Sequence, residues 1–595
     1  MRSRLTRGRV AAVAVAVLMV PLVGASASAE PGTTTLIASS HRVTYGETLS
    51  LQGVLSTADA CLAGRSVALQ RRLPGMVGWE EVTVASTGAG GAFAFQTVPQ
   101  EIADYRALIA PETREAVPCD EVLSQVVGIE VEAAVSLALS RNPVPASGCV
   151  RLRIAVLPTK PGHEVVLQRR RGGSWATEET LILGADSQAS RHTCMTWSEI
   201  GPHRFRARWP RQDEANFAAA SSPVRMQVVK AAWMKRIDAI AAPLRMGVSV
   251  REQGAFLFRR GDTGLRTPAS NQKLLLSMAL LDALGPDRRL ATKAVSRRPR
   301  NGVVRGNLWI VGSGDPEVGP SKVRKLAARI EEAGVRRITG GVRGSTALFA
   351  RDWWAPGWRS YFPRTVIALP TALTFRGNVV GGHHVRDPER RAALALTKQL
   401  RRRGIRVVKP PGMGRHPSGR PELTRVESRH LSGILAITNH ASSNFWAEVL
   451  TKGLAVARRK PPGTIAKGAG AIAAWVKANG GRSRSHDGSG LSYANRTTPA
   501  SIAKLLGRAE GEAWGDRLRS SLPAGGVGTL SRRLHDVPVR AKTGTLSGIS
   551  ALSGWVESKR TGTWVEFSLL SQGVSTTRAK AAEDRIVRIL WRNAR

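Results

Sequence analysis

The chain is short of acidic residues, cysteine and long apolar runs. Of its 595 residues only 44 are Asp or Glu against 88 Lys or Arg, giving a formal charge of +44 at pH 7. Only four cysteines occur, and no cysteines or histidines lie at close ligand spacing, which argues against a metal site. One apolar run, 10–23, stands out, and it is too short to span a bilayer comfortably. A surplus of positive charge raises nucleic acid as a partner, yet no recognisable nucleic-acid module is present and none is expected as a ligand. His383-His384 sits in a Gly-rich stretch and reads as a loop. Neither metal nor cofactor is expected.

What is present starts with a leader. Arg2, Arg4, Arg7 and Arg9 precede the apolar run, and Ala27-Ser28-Ala29 supplies the small residues a signal peptidase needs. Residues 1–29 therefore read as a cleaved signal peptide, with no Cys following for lipidation. Losing those four arginines leaves the secreted chain at +40, a surface that would gather near polyanions. Four cysteines suit an oxidising compartment. Pairing within domains, Cys61 with Cys119 and Cys149 with Cys194, is preferred among the three possible connectivities.

A length of 595 residues suggests about four domains of roughly 150 residues. Residues 30–229 carry a degenerate repeat. Val67-Ala68-Leu69-Gln70-Arg71-Arg72 recurs as Val165-Val166-Leu167-Gln168-Arg169-Arg170, each followed by a Gly-containing turn and a tryptophan, Trp79 or Trp175. Tyr105-Arg106-Ala107 recurs as Phe205-Arg206-Ala207. An offset of about one hundred residues is the size of a β-sandwich, and short alternating runs punctuated by Gly and Pro favour strands. Two all-β sandwiches are expected, 30–131 and 132–229, resembling the Ig-like repeats of bacterial surface proteins. They carry no visible chemistry and read as spacers or wall-binding modules.

From Lys230 the texture changes to mixed α/β (α+β). A helix is expected at 231–241, a strand pair at 246–250 and 255–259, and an inserted region at about 295–430 with strands, turns and one amphipathic helix, 389–403. Three motifs follow one another: Ser270-Asn271-Gln272-Lys273, Ser442-Ser443-Asn444 and Lys542-Thr543-Gly544. The first opens a helix that is apolar on every side from Leu274 to Leu284 and is stopped by Gly285-Pro286, so it is buried and presents Ser270 and Lys273 at its N-terminal end. Spacing i, i+3 puts hydroxyl and amine on one face. Burial and the helix N-terminus lower the lysine pKa and let it take the serine proton. Ser442 would relay a proton to a leaving amine, and Asn444 would hold a substrate amide and Lys273. Lys542 and Thr543 on an edge strand would read a terminal carboxylate, with Gly544 leaving room for an added strand. The N–H groups of Ser270 and Thr545 would form an oxyanion hole. Ser501-Ile502-Ala503-Lys504 repeats the first pattern on an ordinary amphipathic helix and is given no role.

Around these motifs the chain resembles the serine D-alanyl-D-alanine carboxypeptidase/endopeptidase family, the class C low-molecular-mass penicillin-binding proteins. The resemblance rests on Pro268-Ala269-Ser270-Asn271-Gln272-Lys273-Leu274, on Gly306-Asn307-Leu308-Trp309-Ile310-Val311-Gly312-Ser313-Gly314-Asp315-Pro316, on Asp487-Gly488-Ser489-Gly490-Leu491-Ser492 and on Arg540-Ala541-Lys542-Thr543-Gly544-Thr545-Leu546. It covers about 230–595 and implies a penicillin-binding/β-lactamase-like transpeptidase fold. It also implies cleavage of the terminal D-Ala-D-Ala bond of peptidoglycan stem peptides, cross-link hydrolysis in some members, and acylation by β-lactams. Two departures stand at positions tied to substrate side-chain reading. Gly344-Ser345-Thr346-Ala347-Leu348-Phe349 lacks acidic residues that many relatives carry there, and Tyr493 stands where Arg is frequent. A β-lactamase sharing this scaffold would need a positioned water, often with a nearby Glu, and no clear Glu-bearing loop is evident. A cell-wall-associated enzyme follows, with anionic cell-wall polymer as a further partner of its basic surface. A non-enzymatic wall-binding or adhesion protein is the remaining alternative.

Overall fold

The computed structural model describes residues 32–459 and 461–594, so the expected signal peptide lies outside the described residues. The chain divides into two compact units. The first runs to Arg141 and includes Arg151–His192 and His203–Met226; the second takes Asn142–Val150, Thr193–Pro202 and Gln227–Arg595. Disulfides join Cys61 to Cys119 and Cys149 to Cys194.

The N-terminal sequence repeat is a repeat of structure. Strand Ser66–Arg72 lies between Glu80–Ser86 and Ala103–Ile109, and strand Glu164–Arg171 lies between Ser174–Ile182 and Gly201–Trp209. Both carry the same irregularity in register, at Leu69/Gln70 and at Leu167/Gln168. Arg106 Nε donates to Gln70 Oε1 at 2.9 Å under Trp79, and Arg206 Nε donates to Gln168 Oε1 at 2.8 Å under Trp175. Alternation along Leu49–Ser56 puts Leu49, Leu51 and Leu55 inside, as Val150, Leu152, Ile154 and Val156 do in Cys149–Leu157.

The second unit is built on an antiparallel sheet in the order Ala255–Arg260, Gly247–Glu252, Trp564–Gln572, Ile549–Glu557, Val539–Leu546. Every residue from Ile549 to Val556 is buried, so both faces of the sheet are covered. The C-terminal helix Thr576–Asn593 packs with Ala232–Ala241 and against Ile549–Glu557. Helix Gln272–Leu284 belongs to a large apolar cluster, which brings Leu274–Leu276 and Met278–Leu281 against Leu435, Leu450, Ile472, Leu505 and Trp555. Ten of its thirteen residues are buried, as an all-apolar surround predicts. Phe258 is covered by Trp197, whose ring centroid is 5.1 Å away.

The inserted region forms its own layer. Its sheet runs Gly412–Gly414, Val342–Ser345, Leu308–Gly312, Arg289–Val295, Glu422–His430. Two helices cover it, not the one expected: Pro388–Arg402, and also Pro320–Glu332, which buries Val323, Leu326, Ala327 and Ile330. That spacing of i, i+3, i+4, i+7 behind a proline at the first turn is a helix signal that the sequence reading passed over. His383–His384 is not a loop but pairs with Val379–Val380, because Gly381 (φ 53°) and Gly382 (φ 80°) close a two-residue hairpin.

Candidate active site

The three motifs, scattered over more than 270 residues of sequence, meet beside the Val539–Leu546 edge of the sheet. Ser270 sits in the short 3-10 turn Ala269–Asn271 that leads into the buried helix. Ala269, at φ 47°, bends the chain into this turn, and Asn271 ties it to the sheet through Nδ2, 2.7 Å from Ser553 Oγ. Lys273 is fully buried. Its Nζ lies 3.1 Å from Ser270 Oγ and 2.9 Å from Asn444 Oδ1, and it also donates to the carbonyl of Ser489.

This set of partners orients a base. Asn444 Oδ1 and the Ser489 carbonyl are acceptors only, so a neutral amine gives each of them one N–H. Its lone pair then faces the Ser270 hydroxyl. Burial pushes Lys273 down from 10.5 to about 8, against the opposing pull of Asp487 and Glu448. The amine is therefore deprotonated far more readily than a free lysine.

Asn444 starts helix Asn444–Arg458, and Ser443 caps that helix by accepting from Trp446 N at 3.3 Å. Ser442 lies in the turn before it at φ 50°, and among the described residues its hydroxyl makes no hydrogen bond. Lys542 is fully buried on the edge strand, and its Nζ donates to Thr543 O at 2.9 Å. Burial and the neighbouring Lys273 both push Lys542 well below the ordinary lysine range. A carboxylate arriving in the pocket would supply the missing counter-charge.

Alternation decides which edge groups are open. Ala541 N donates outward to Pro523 O at 3.0 Å, so the outward-facing residues of this strand are Ala541, Thr543, Thr545 and Ser547. Ser547 N is taken by Tyr493 Oη at 3.2 Å. The open edge is thus Thr543 and Thr545. Gly544 has a use in the fold besides the room expected for a substrate. A Cβ there would lie 2.9 Å from Pro268 O and 3.1 Å from Ser270 N, so its missing side chain admits the turn that carries Ser270.

Sequence reasoning missed Glu448 and the part played by the 487–492 loop. Glu448 is one helical turn past Asn444, and its Oε1 accepts from Gly488 N at 2.9 Å and Ser489 N at 2.7 Å. Burial first, then the charge of Asp487, raise it to about 8. Asp487 itself accepts from Trp358 Nε1 (2.7 Å), Gly490 N (2.9 Å), Ser492 N (2.7 Å) and Asn495 Nδ2 (2.6 Å). One turn beyond Glu448, the buried Lys452 Nζ donates to the carbonyls of Ala350, Asp352 and Pro370. A polar stripe at 444, 448 and 452 in a mostly apolar helix was the available signal. Among the described residues no cluster of His, Cys, Asp or Glu could hold a metal ion.

A serine beside a buried lysine, an asparagine opposite and a cationic sheet edge define a serine-type peptidase. The chain belongs to the D-Ala-D-Ala carboxypeptidase 3 (S13) family, which it matches over residues 239–383 and 368–593. It is 26% identical over 430 residues to the D-alanyl-D-alanine carboxypeptidase of Actinomadura sp. (strain R39), covering 56% of this chain and 78% of that one. It is 28% identical over 372 residues to the carboxypeptidase DacB of Mycolicibacterium smegmatis, covering 57% and 78%. The crystal structure of penicillin binding protein 4 (dacB) from Haemophilus influenzae superposes with a TM-score of 0.53 at 22% identity, over 60% of this chain and 99% of that one. That last likeness is one of fold.

Proposed function

We propose that the protein cleaves the terminal D-Ala-D-Ala bond of peptidoglycan stem peptides through an acyl-enzyme on Ser270. The observation that carries this is Lys273 Nζ held between Ser270 Oγ at 3.1 Å and Asn444 Oδ1 at 2.9 Å. Lys273 takes the Ser270 proton as Oγ bonds to the penultimate carbonyl carbon. The N–H groups of Ser270 and Thr545 hold the resulting oxyanion. As the C–N bond breaks, the proton passes by way of the Ser442 hydroxyl to the leaving nitrogen, and D-Ala departs. Water then hydrolyses the Ser270 ester, Lys273 again acting as base. Lys542 and Thr543 take the terminal carboxylate while the peptide lies along the open edge. Cross-link hydrolysis uses the same steps on a longer leaving amine. A β-lactam carries its own amide and carboxylate to the same groups and stays attached.

Export after cleavage of residues 1–29 would place the enzyme in the cell wall, where its excess of basic residues would retain it on anionic polymer. Among the described residues no helix is long and apolar enough to cross a membrane. The repeated β modules are read as Ig-like, at 30–131 and 132–229, serving as spacers or wall-binding units ahead of a catalytic domain at 230–595.

Fluorescent penicillin tests the reading. Covalent label should appear on Ser270 and vanish in Ser270→Ala, and D-Ala should be released from a D-Ala-D-Ala pentapeptide. Folded protein that takes no label overturns it. Comparing the pentapeptide with a cross-linked dimer sets the carboxypeptidase rate against the endopeptidase rate.

A further inference from the structure

Lys273 needs two acceptors for its two N–H groups before its lone pair can face Ser270. Asn444 Oδ1 is one of them. The other is a backbone carbonyl, Ser489 O, in a loop of small residues, Asp487-Gly488-Ser489-Gly490. No substitution at 489 removes a carbonyl, so what matters is what holds it. Asp487 fixes the ends of the loop through Gly490 N and Ser492 N, but the Gly488 and Ser489 amides turn the other way, onto Glu448 Oε1. The Ser489 carbonyl shares its peptide with Gly490 N, which Asp487 takes, while Glu448 takes the amide on the other side of the Ser489 Cα; held from both sides, Ser489 O is fixed in direction.

We propose that Glu448 is the positioning residue of the base: by taking both loop amides on one oxygen it holds the Ser489 carbonyl on Lys273 and so turns the amine lone pair toward Ser270. The rest of its surroundings fits this use. Gly488 has no room for a side chain, since a Cβ would lie 1.8 Å from Thr451 Oγ1, so the loop is pressed onto the Asn444–Arg458 helix. Glu448 is fully buried and its Oε2 has no hydrogen-bond partner, so the side chain is not explained as half of an ion pair. The charged groups that face it are Asp487 on the loop, Lys273 on the nucleophile helix and Lys452 on its own helix. The requirement is for an acceptor oxygen at this place, which a carboxylic acid and a carboxamide both provide.

The inference rests on Ser270 being the acylated residue, and the test separates the two. In the full-length protein, the acylation rate constant by fluorescent penicillin is measured per labelled site from pH 6 to 10 for wild type, Glu448→Gln, Glu448→Asp and Glu448→Ala. Gln keeps the acceptor oxygen and should retain the rate within about threefold. Asp is one methylene short of the loop and should lose about tenfold. Ala should lose about a hundredfold, the scale expected when a reacting group is displaced by about 1 Å. Water entering the space in the Ala variant should also carry the rising limb of its pH profile to higher pH. A purely structural role would lower the labelled fraction and the melting temperature but leave the rate per site and the limb in place, and that result overturns the proposal. So does a Gln variant as slow as Ala, which would mean that the charge matters and not the two accepted amides. If Ala fails to fold, Asp against Gln decides. Wild type that takes no label refutes the Ser270 reading instead.

Discussion

Raising the pH through 8 should switch the base on. Only neutral Lys273 can accept the Ser270 proton, and its burial sets the pKa at about 8 where a free lysine has 10.5. At pH 7 about 9% of the amine is then neutral, against about 0.03% for a free lysine, a gain of about 300-fold in active base. Between pH 7 and 9 the neutral fraction, and with it the acylation rate, should climb about tenfold and then level off. The same burial has a cost in stability. Between about 8 and 10.5 the unfolded chain holds the Lys273 proton and the native state does not, so stability rises with pH across that window. Below 8 the full penalty stands, about 3 kcal/mol before its hydrogen bonds are counted. Stopped-flow acylation by fluorescent penicillin from pH 6 to 10 checks the rate. Glu448 is raised to about 8 and ionises over the same range, so the limb belongs to a coupled pair. Repeating the profile in Glu448→Gln isolates the lysine. A rate that keeps climbing to a midpoint near 10.5, or one that ignores pH, refutes the reasoning.

Further outcomes follow from other contacts. Asn444→Ala removes one of the two acceptors that orient Lys273 and should cut kcat/KM about a hundredfold, read from D-Ala release. Gly490→Ala would drive a Cβ to 1.9 Å from Ala269 O at φ 82°, so the Ser270 turn should shift; labelling should be lost and the melting temperature should fall. Trp358→Phe strips Asp487 of a buried donor at 2.7 Å and should cost about 1–3 kcal/mol in denaturant unfolding. Because burial and Lys273 depress Lys542, an anionic substrate analogue that brings a counter-charge should bind with proton uptake. Calorimetry in buffers of differing ionisation enthalpy would detect it, and binding without proton exchange at pH 8 would count against a carboxylate at Lys542.

Much of the site was legible because acyl transfer demands particular side chains at fixed local spacings. Ser270 and Lys273 announce themselves by i, i+3 at the head of an apolar helix, and Lys542 by its place on a strand. The strand pair at 247–260 was equally plain from its periodicity. What was hidden depends on tertiary approach. Glu448 acts on backbone amides forty residues away, and nothing in local sequence says which amides a buried carboxyl will find. Gly544 read as space for a substrate, and nothing local said that its neighbour across the fold is the Ser270 turn. The Pro320–Glu332 helix was a plainer omission, since its apolar spacing and leading proline were visible in the sequence.

An unpaired sheet border normally invites any passing extended chain, and proteins defend against it. Here Pro523 occupies one end and the Tyr493 phenol the other, leaving docking room for about two residues, roughly 7 Å of extended backbone. If the substrate docks along this edge as proposed, a berth that short would favour the tip of a peptide over its middle. Selectivity for chain ends over interior bonds can thus come from the length of the berth alone, before any side chain is inspected, and shortening the phenol at 493 would be the way to lengthen it.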